Sequence, residues 1–295
     1  MKPGEGDFDS VDRDACIRTI LGVGMEFKYD ILSREDWYGR RLIASKFRDR
    51  CAFIAGDAAH IWVPYAGYGM NAGIADAMNL SWLLAAHLNG WAEASILDAY
   101  EAERWPITSQ VSRFAMSHAE AEIRRRGAVP DEIEDAGPAG ERARRETGRL
   151  TYEINVQQYA CAGLNFGTYY DRSPIIAYDC AEHPAYTMSA YVPSTVPGCR
   201  TPHLWCPDGG SLYDAMGPEF TLLRFNADLD VRELELAARD RRVPLKVLDV
   251  VRPATGPYQE ALVLSRPDQH IAWRGDHPPV NPFALIDRVR GLPDY

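Results

Sequence analysis

The sequence predicts an α/β protein, and two observations carry that reading. A compact apolar run, Cys51-Ala-Phe-Ile-Ala55, ends in Gly56-Asp57 and leads through a glycine-bearing loop into a segment of helical period. From Phe220 onward, short β-branched and leucine-rich runs alternate with helix-like segments, the pattern of strands and helices packed in layers.

Taken in order, Asp7 to Arg40 alternates loosely and carries Trp37 and Tyr38, and Leu42 to Phe47 reads as a short strand or approach segment. The length of Cys51–Ala55 and the glycine after it favour a fully buried strand over a helix. A turn region rich in Pro and Gly spans His60 to Gly69. After Asn71 the period changes: Ile74, Ala77, Met78, Trp82, Ala85 and Leu88 recur at helical spacing up to Asn89-Gly90, a suitable stop. One helix is expected from about Glu93 to Arg104. Another starts at Pro106, which suits a first turn, and ends in Arg124-Arg125-Arg126, where cations offset the helix dipole.

Val129 to Gly140 reads as an acidic loop, Ala143 to Gln158 as a further helix, and Tyr178 to Pro207 as a proline-rich linker. Then come a strand at Phe220–Phe225, a helix at Asp230–Asp240, and strands at Leu245–Val251 and Ala261–Ser265. A turn at Arg266–Gln269 leads to a strand at His270–Arg274, and a helix closes over Pro282–Arg290. Strand, helix, strand, hairpin and final helix is the thioredoxin-type order.

Composition narrows the partners. Lys plus Arg is 32 against 42 Asp plus Glu, a net charge of −10, which argues against nucleic acid and against an anionic membrane. No apolar stretch has the length of a membrane span, and the start, Met1 to Ser10, is acidic rather than signal-like, so a cytoplasmic location is expected. The six cysteines are scattered without a CxxC pair, which favours free thiols and gives no support to dithiol chemistry. Cys180-x-x-His183 and Cys199-x-x-x-His203-x-x-Cys206 supply zinc-ligand types, but without paired spacing no metal site is assigned.

The chemistry-bearing stretch runs from Gly56 to Leu80. A strand delivers Asp57 to its C-terminal edge, where ligands of open α/β sheets gather. Gly67 and Gly69 let backbone approach a flat ligand, and the helix that starts near Met70-Asn71 offers unpaired N–H groups and partial positive charge. That suits a polyol hydroxyl on Asp57 and an electron-rich ring edge at the amides. A plain βα turn with a capping Asp would show the same bare G-D and G-x-G.

The whole string resembles the second flavin-binding motif of the aromatic-ring hydroxylases related to para-hydroxybenzoate and phenol hydroxylase. The matching positions are Gly56, Asp57, His60, Pro64, Gly67, Gly69, Asn71, Asp76 and Asn79-Leu80, with Tyr100-Glu-x-Glu103-Arg104-x-Pro106 further on. Val63 and Leu83 depart from the pattern, which commonly has Pro and Lys there. Pro197-Gly-Cys-Arg-Thr-Pro-His203, Ser211 to Gly217, Phe220 to Leu223 and Ala272-Trp-Arg-Gly275 are similar to the thioredoxin-like C-terminal domain that some of these enzymes carry.

The resemblance implies FAD as cofactor, NAD(P)H as co-substrate, and hydroxylation of a phenolic or polycyclic polyketide-like ring with O₂. It places Gly56, Asp57, Pro64, Gly67, Gly69, Met70 and Asn71 at the flavin, with Asp57 on the ribityl chain, the Pro64 carbonyl by the reactive edge, and the amides near Met70 and Asn71 at N1 and the C2 carbonyl. His60 packs under the loop, and no side chain is assigned as catalytic. Trp62, Tyr65 and Tyr68 suggest an aromatic lining, which loop aromatics provide less often than plain packing.

The dinucleotide turn G-x-G-x-x-G is not found; Gly22-Val-Gly24 lacks the third glycine and a preceding strand. The expected organisation is therefore residues 1–45 as the end of a middle, substrate-side region, 46–175 as the C-terminal part of an FAD-binding domain, and 176–295 as linker and thioredoxin-like domain. On that expectation the chain alone binds FAD weakly or not at all unless a partner chain supplies the other half, because half a site must still offset the lost freedom of the ligand. The competing reading is a non-catalytic remnant or interaction module. The oligomeric state is open, a homo-oligomer included.

Overall fold

The computed structural model describes residues 10–35, 37 and 39–292, so the acidic start before Ser10 and the ring of Tyr38 lie outside the described residues. Helix α1 (Arg13–Leu21) is capped by the Asp12 carboxylate, which accepts from the Ala15 N–H at 3.0 Å, and ends at Gly22 in the left-handed region. The loose alternation of this region does not announce it, because none of its residues is buried and no apolar stripe marks it. Four two-residue strands follow: β1 (Leu42–Ile43), β2 (Arg48–Asp49), β3 (Ala52–Phe53) and β4 (His60–Ile61), paired antiparallel as β1–β4 and β2–β3.

The fully buried strand expected over Cys51–Ala55 is thus corrected to half of a tight hairpin. Only Ala52 and Phe53 pair, Cys51 and Ala52 are exposed, and Phe53 to Ala55 are half-buried. The apolar composition suits an interior strand. Among the described residues, however, β2 is its only neighbour, and burial depends on neighbours.

Helix α2 (Tyr68–Leu88) is present, but its apolar periodicity points the other way from expectation. Of the six residues that set that period, only Trp82 is buried; Ile74, Ala77, Met78, Ala85 and Leu88 are exposed. The face turned inward is Tyr68, Asp76, Asn79, Leu83 and Ala86, with Trp82 at its margin, and two of these are polar because they join a buried ionic network. Leu83, one of the two departures from the family pattern, is fully buried in the core.

Helix α3 (Asp98–Arg126) is one continuous helix of 29 residues, not two helices divided at Arg104, and Pro106 lies inside it. An internal proline removes one hydrogen bond and costs about 3 kcal/mol. Burial of Tyr100, Ile107, Val111 and Ala115 along the same helix offsets that cost and holds the axis through the proline. Arg124, Arg125 and Arg126 do close the helix; Arg125 also donates to the Thr147 carbonyl at 2.9 Å, on helix α4 (Pro138–Tyr159). A short α5 (Ala162–Phe166) follows, and the stretch from Tyr178 to Pro207 is irregular as expected.

After α6 (Leu212–Ala215) the order is β5 (Phe220–Arg224), α7 (Arg232–Asp240), β6 (Leu245–Asp249), β7 (Leu262–Ser265), β8 (Ile271–Gly275) and α8 (Pro282–Val289). The strands lie in the order β6-β5-β7-β8, with β5 parallel to β6, antiparallel to β7, and β7–β8 a hairpin. The strand, helix, strand, hairpin, helix order read from the sequence is therefore the observed one. The irregular stretch is tied to this sheet: the Gly198 N–H donates to the Ile271 carbonyl at 2.8 Å and the Thr201 N–H to that of Gln269 at 2.8 Å.

One face of the sheet packs on the helices in a single core. Phe220 meets Trp82 and Trp91 edge-on, each at 6.1 Å between ring centroids, with Leu222, Leu264 and Ala272 beside it. The sheet is also locked by charge. Arg266 forms a bidentate pair with Glu103 of α3, at 2.6 and 2.8 Å, and a second pair with Asp268; both partners of the first pair have no exposed side-chain surface. Asn79 of α2 donates to the same Glu103 at 2.7 Å, and the Ser173 hydroxyl donates to it as well.

Removing one member of such a pair strands the other charge in the interior. Arg266→Met is expected to lower unfolding stability by about 3–5 kcal/mol. The double variant Glu103→Gln/Arg266→Met is expected to lose less than the sum of the two single losses. Urea denaturation checks both; additive losses would show that the pair is not coupled.

Candidate functional site

The loop that carries the predicted cofactor residues is assembled from short elements with few bonds of their own. β4 is held to β1, the Ala44 N–H donates to the Ala59 carbonyl at 2.8 Å, and a single helical turn at Gly56–Ala58 carries Asp57. A second turn at Tyr65–Gly67, in which the Gly67 N–H reaches the Pro64 carbonyl at 3.3 Å, runs into α2. Gly67 adopts φ 66°, a conformation that suits glycine, and caps α2 with no side-chain acceptor. The first N–H groups of α2 thus have no capping side chain, the condition that makes a helix N-terminus an anion site.

The turn bearing Asp57 sits directly on α2. A Cβ added to Gly73 would lie 3.2 Å from Gly56 Cα, a tight approach, so the turn and the helix meet nearly backbone to backbone there. Gly56 itself has φ 55°.

Asp76, one turn further along α2, ties this crossing together. Its carboxylate accepts from the Gly56 N–H at 3.2 Å, contacts His60 Nε2 at 2.6 Å, and pairs with Arg104 Nε of α3 at 2.9 Å, with no exposed surface of its own. Desolvation by burial pushes the Asp76 carboxyl up, but the His60 hydrogen bond and the Arg104 charge outweigh it and hold it below the usual carboxylate range. Arg104, fully buried, is held above its ordinary value by the facing anionic and phenolic groups despite that desolvation.

Of the seven predicted cofactor residues, Asp57, Pro64, Gly67, Met70 and Asn71 are exposed, and Gly56 and Gly69 are half-buried. Among the described residues no hydrogen bond or ion pair engages the Asp57 carboxylate. A Cβ at Gly67 or Gly69 would meet nothing within 4 Å, so the space over the loop is open. His60 packs beneath the loop, stacked on Trp62 at 5.0 Å, which is where the sequence reading put it. Tyr68 is buried in a cluster with Ile107, Val111, Leu164 and Tyr170, and half-buried Trp62 packs on the same cluster.

Sequence reasoning left Asp76, Glu103 and Arg104 as motif matches without a role, and read Arg266-Pro-Asp268-Gln269 only as a turn. Charged residues at α2 and α3 positions on the core side of those helices were the available signal. Among the described residues no group of three or more His, Cys, Asp or Glu could hold a metal. His183 bonds the Pro197 carbonyl at 3.0 Å and His203 bonds Ser211 Oγ at 2.9 Å.

Comparison with known proteins finds matches at both ends of the chain. Residues 9–115 match the model of an FAD binding domain, and residues 194–291 that of the aromatic-ring hydroxylase C-terminal region. The chain belongs to the FAD-dependent aromatic-ring hydroxylases.

It is 30% identical over 288 residues to the FAD-dependent monooxygenase opdD of Penicillium oxalicum, covering 93% of this chain and 55% of that protein. It is 28% identical to phenol 2-monooxygenase of a Pseudomonas species, covering 93% of this chain and 51% of that one. The rebeccamycin biosynthetic enzyme RebC, in a structure with reduced flavin, superposes with a TM-score of 0.82 at 35% identity, covering 97% of this hydroxylase-family chain and 53% of RebC. The chain spans about half the length of the curated relatives it matches. No described helix is long and apolar enough to cross a membrane.

Two expectations follow from the crossing. Gly73→Ala presses the Asp57 turn away from α2 by a few tenths of an ångström and, with the helix-propensity gain of alanine offsetting part of the overpacking, is expected to cost no more than about 1 kcal/mol in thermal or urea unfolding. Asp76 has a depressed folded-state pKa, so its contribution is fully present above the unfolded value of about 4 and is lost as pH falls through the lower folded value. Asp76→Asn is therefore expected to destabilise the protein at neutral pH and to flatten the acid limb of stability below about pH 5. A wild-type-like acid limb in the variant would contradict that assignment.

Proposed function

We propose that this chain supplies the isoalloxazine-facing part of an FAD site in a monooxygenase that hydroxylates an aromatic ring, phenolic or polycyclic and polyketide-like, with NAD(P)H as hydride donor and O₂ as oxidant. The observation that carries this is the uncapped N-terminus of α2 beside an exposed Asp57 on a turn clamped to the same helix. Membership of the family, and relatives named as an FAD-dependent monooxygenase and a phenol 2-monooxygenase, support it.

The residues present fit the cofactor. Asp57 would hold ribityl hydroxyls, Gly56 and Gly69 would admit the backbone close to the ligand, and Gly67 would set the loop's direction. The Pro64 carbonyl would lie by the reactive edge, and the amides near Met70 and Asn71 would face N1 and the C2 carbonyl. When bound, the flavin supplies hydride acceptance and oxygen activation. The protein's part is electrostatic and positional: the α2 N-terminus favours negative charge at the ring edge, and Asp57 fixes the side chain of the cofactor. His60, Asp76 and Arg104 act through the turn and would not touch the ligand. Under this reading residues 46–175 carry the flavin contacts and 176–295 dock as a second unit. Its other partners would be a small aromatic substrate and a segment or chain that seats the ADP end.

The test is the absorbance spectrum of the purified chain after incubation with excess FAD and desalting. Retained flavin absorbance is expected to fall about tenfold or more in affinity with Asp57→Ala, the worth of one hydrogen bond to a charged group. Retention unchanged by Asp57→Ala would remove Asp57 from the site, and a chain that stays colourless even with a segment supplying the G-x-G-x-x-G turn would overturn the proposal.

A further inference from the structure

Helices α2, α3 and α5 border a cavity of about 150 Å³ beneath the first turn of α2. Its wall reaches Asn71 but none of Gly56, Asp57, Pro64, Gly67, Gly69 and Met70, so it lies under the loop and not on its open face. Ala72, Ala75, Ile107, Val111 and Leu164 give it an apolar lining, and the two alanines leave the room that larger side chains would fill. A cavity of roughly this volume holds one benzene ring, whereas drug-sized ligands need about 300 Å³ or more.

One charged group faces this space with donors to spare. The Arg104 side chain is only 6% exposed, and its Nε is committed to Asp76 at 2.9 Å. Among the described residues neither Nη1 nor Nη2 makes a well-formed hydrogen bond, and neither nitrogen is closed off from the cavity. The Tyr170 hydroxyl faces the guanidinium, but one phenol oxygen leaves most of its N–H bonds without an acceptor. Buried donors without acceptors are costly, so an oxygen placed in the cavity gains by meeting them. Tyr68 Oη and Thr108 Oγ1, on residues of the same wall, have no accessible surface and offer a ligand nothing.

The charges around the cavity select a neutral acceptor. Asp76 already balances Arg104. Asp268 lies in the adjoining cleft, which meets this cavity at Ala75 and Arg104, and it divides the one Arg266 charge with Glu103. No net positive charge is left to hold a carboxylate, and burying one unpaired is costly. A hydroxyl or carbonyl oxygen needs only the direction of the N–H bonds.

We propose that this cavity binds a single neutral aromatic ring bearing a hydroxyl or carbonyl oxygen. The ring lies against Ala72, Ala75, Ile107, Val111 and Leu164, and the oxygen accepts from the terminal nitrogens of Arg104. The site is distinct from the flavin contacts and stands whether or not the chain binds FAD.

Calorimetric titration of the chain without FAD tests it, with phenol as the probe. Toluene matches phenol in size and lacks the oxygen, benzoate adds a charge, and 1-naphthol adds a second ring. Saturable one-to-one binding of phenol is expected, with each of the other three compounds weaker by about tenfold or more. Ala72→Leu fills the cavity and is expected to weaken phenol binding to the same degree. No saturable heat with phenol, binding of toluene, benzoate or 1-naphthol as tight as that of phenol, or undiminished phenol binding by a folded Ala72→Leu would each overturn the proposal. If circular dichroism shows Ala72→Leu unfolded, the comparison of the four compounds on the unmodified chain decides.

Discussion

The buried pair of Glu103 and Arg266 is the interaction on which the arrangement of this chain depends. Each charge would be prohibitively costly to bury alone, and the bidentate geometry lets each offset the desolvation of the other. Four segments far apart in sequence meet at it: α3 brings Glu103, α2 brings Asn79, the chain before Ile175 brings Ser173, and the β7–β8 turn brings Arg266. The Arg266 guanidinium also lies between the rings of Trp82 and Tyr170, at 4.9 and 5.2 Å. Apolar contact between sheet and helices could slide with little loss. A buried Glu103 that would lose its guanidinium cannot, so this pair fixes the register in which the sheet docks.

Glu103 and Arg104 are consecutive on α3 and have opposite tasks. Successive helical residues point about 100° apart, so Glu103 reaches the C-terminal sheet while Arg104 reaches Asp76 under the loop. The same turn of α3 therefore anchors both the sheet and the base of the candidate flavin site. One more residue of this stretch extends the pattern: Glu101 accepts from the backbone N–H groups of Phe47 and Arg48, at 2.6 and 3.1 Å, and pins the strands that lead to the loop. The loop is short of internal hydrogen bonds and is held from below instead, which leaves Asp57 and the first amides of α2 open to a ligand on a rigid base.

What was legible in the sequence is what local physics fixes. Strand and helix periods from Phe220 onward were readable because the strands β5 and β7 are continuous apolar runs and the closing helix has a start signal, Asn281 capping α8 ahead of Pro282. The glycine-bearing loop was readable because glycines at positive φ and a helix N-terminus are local requirements, and Gly56 and Gly67 show them. The continuity of α3 was not, since proline is tolerated inside a helix only when surrounding burial compensates, and that burial is supplied by residues such as Leu164 and Ile176. Nor was the burial of Cys51–Ala55, which depends on strands beside it.

By itself the sequence determined the order of elements from Phe220 onward, the glycine-bearing turn into α2, and the family resemblance they carry, because each is written in spacing along one stretch of chain. The tertiary structure alone decided which face of α2 is inside and which charges are paired. Burial and electrostatic matching are properties of groups brought together from distant positions. Asp76, Glu103, Arg104 and Arg266 acquire their roles only when the fold places them within hydrogen-bonding distance in a medium that cannot otherwise solvate them.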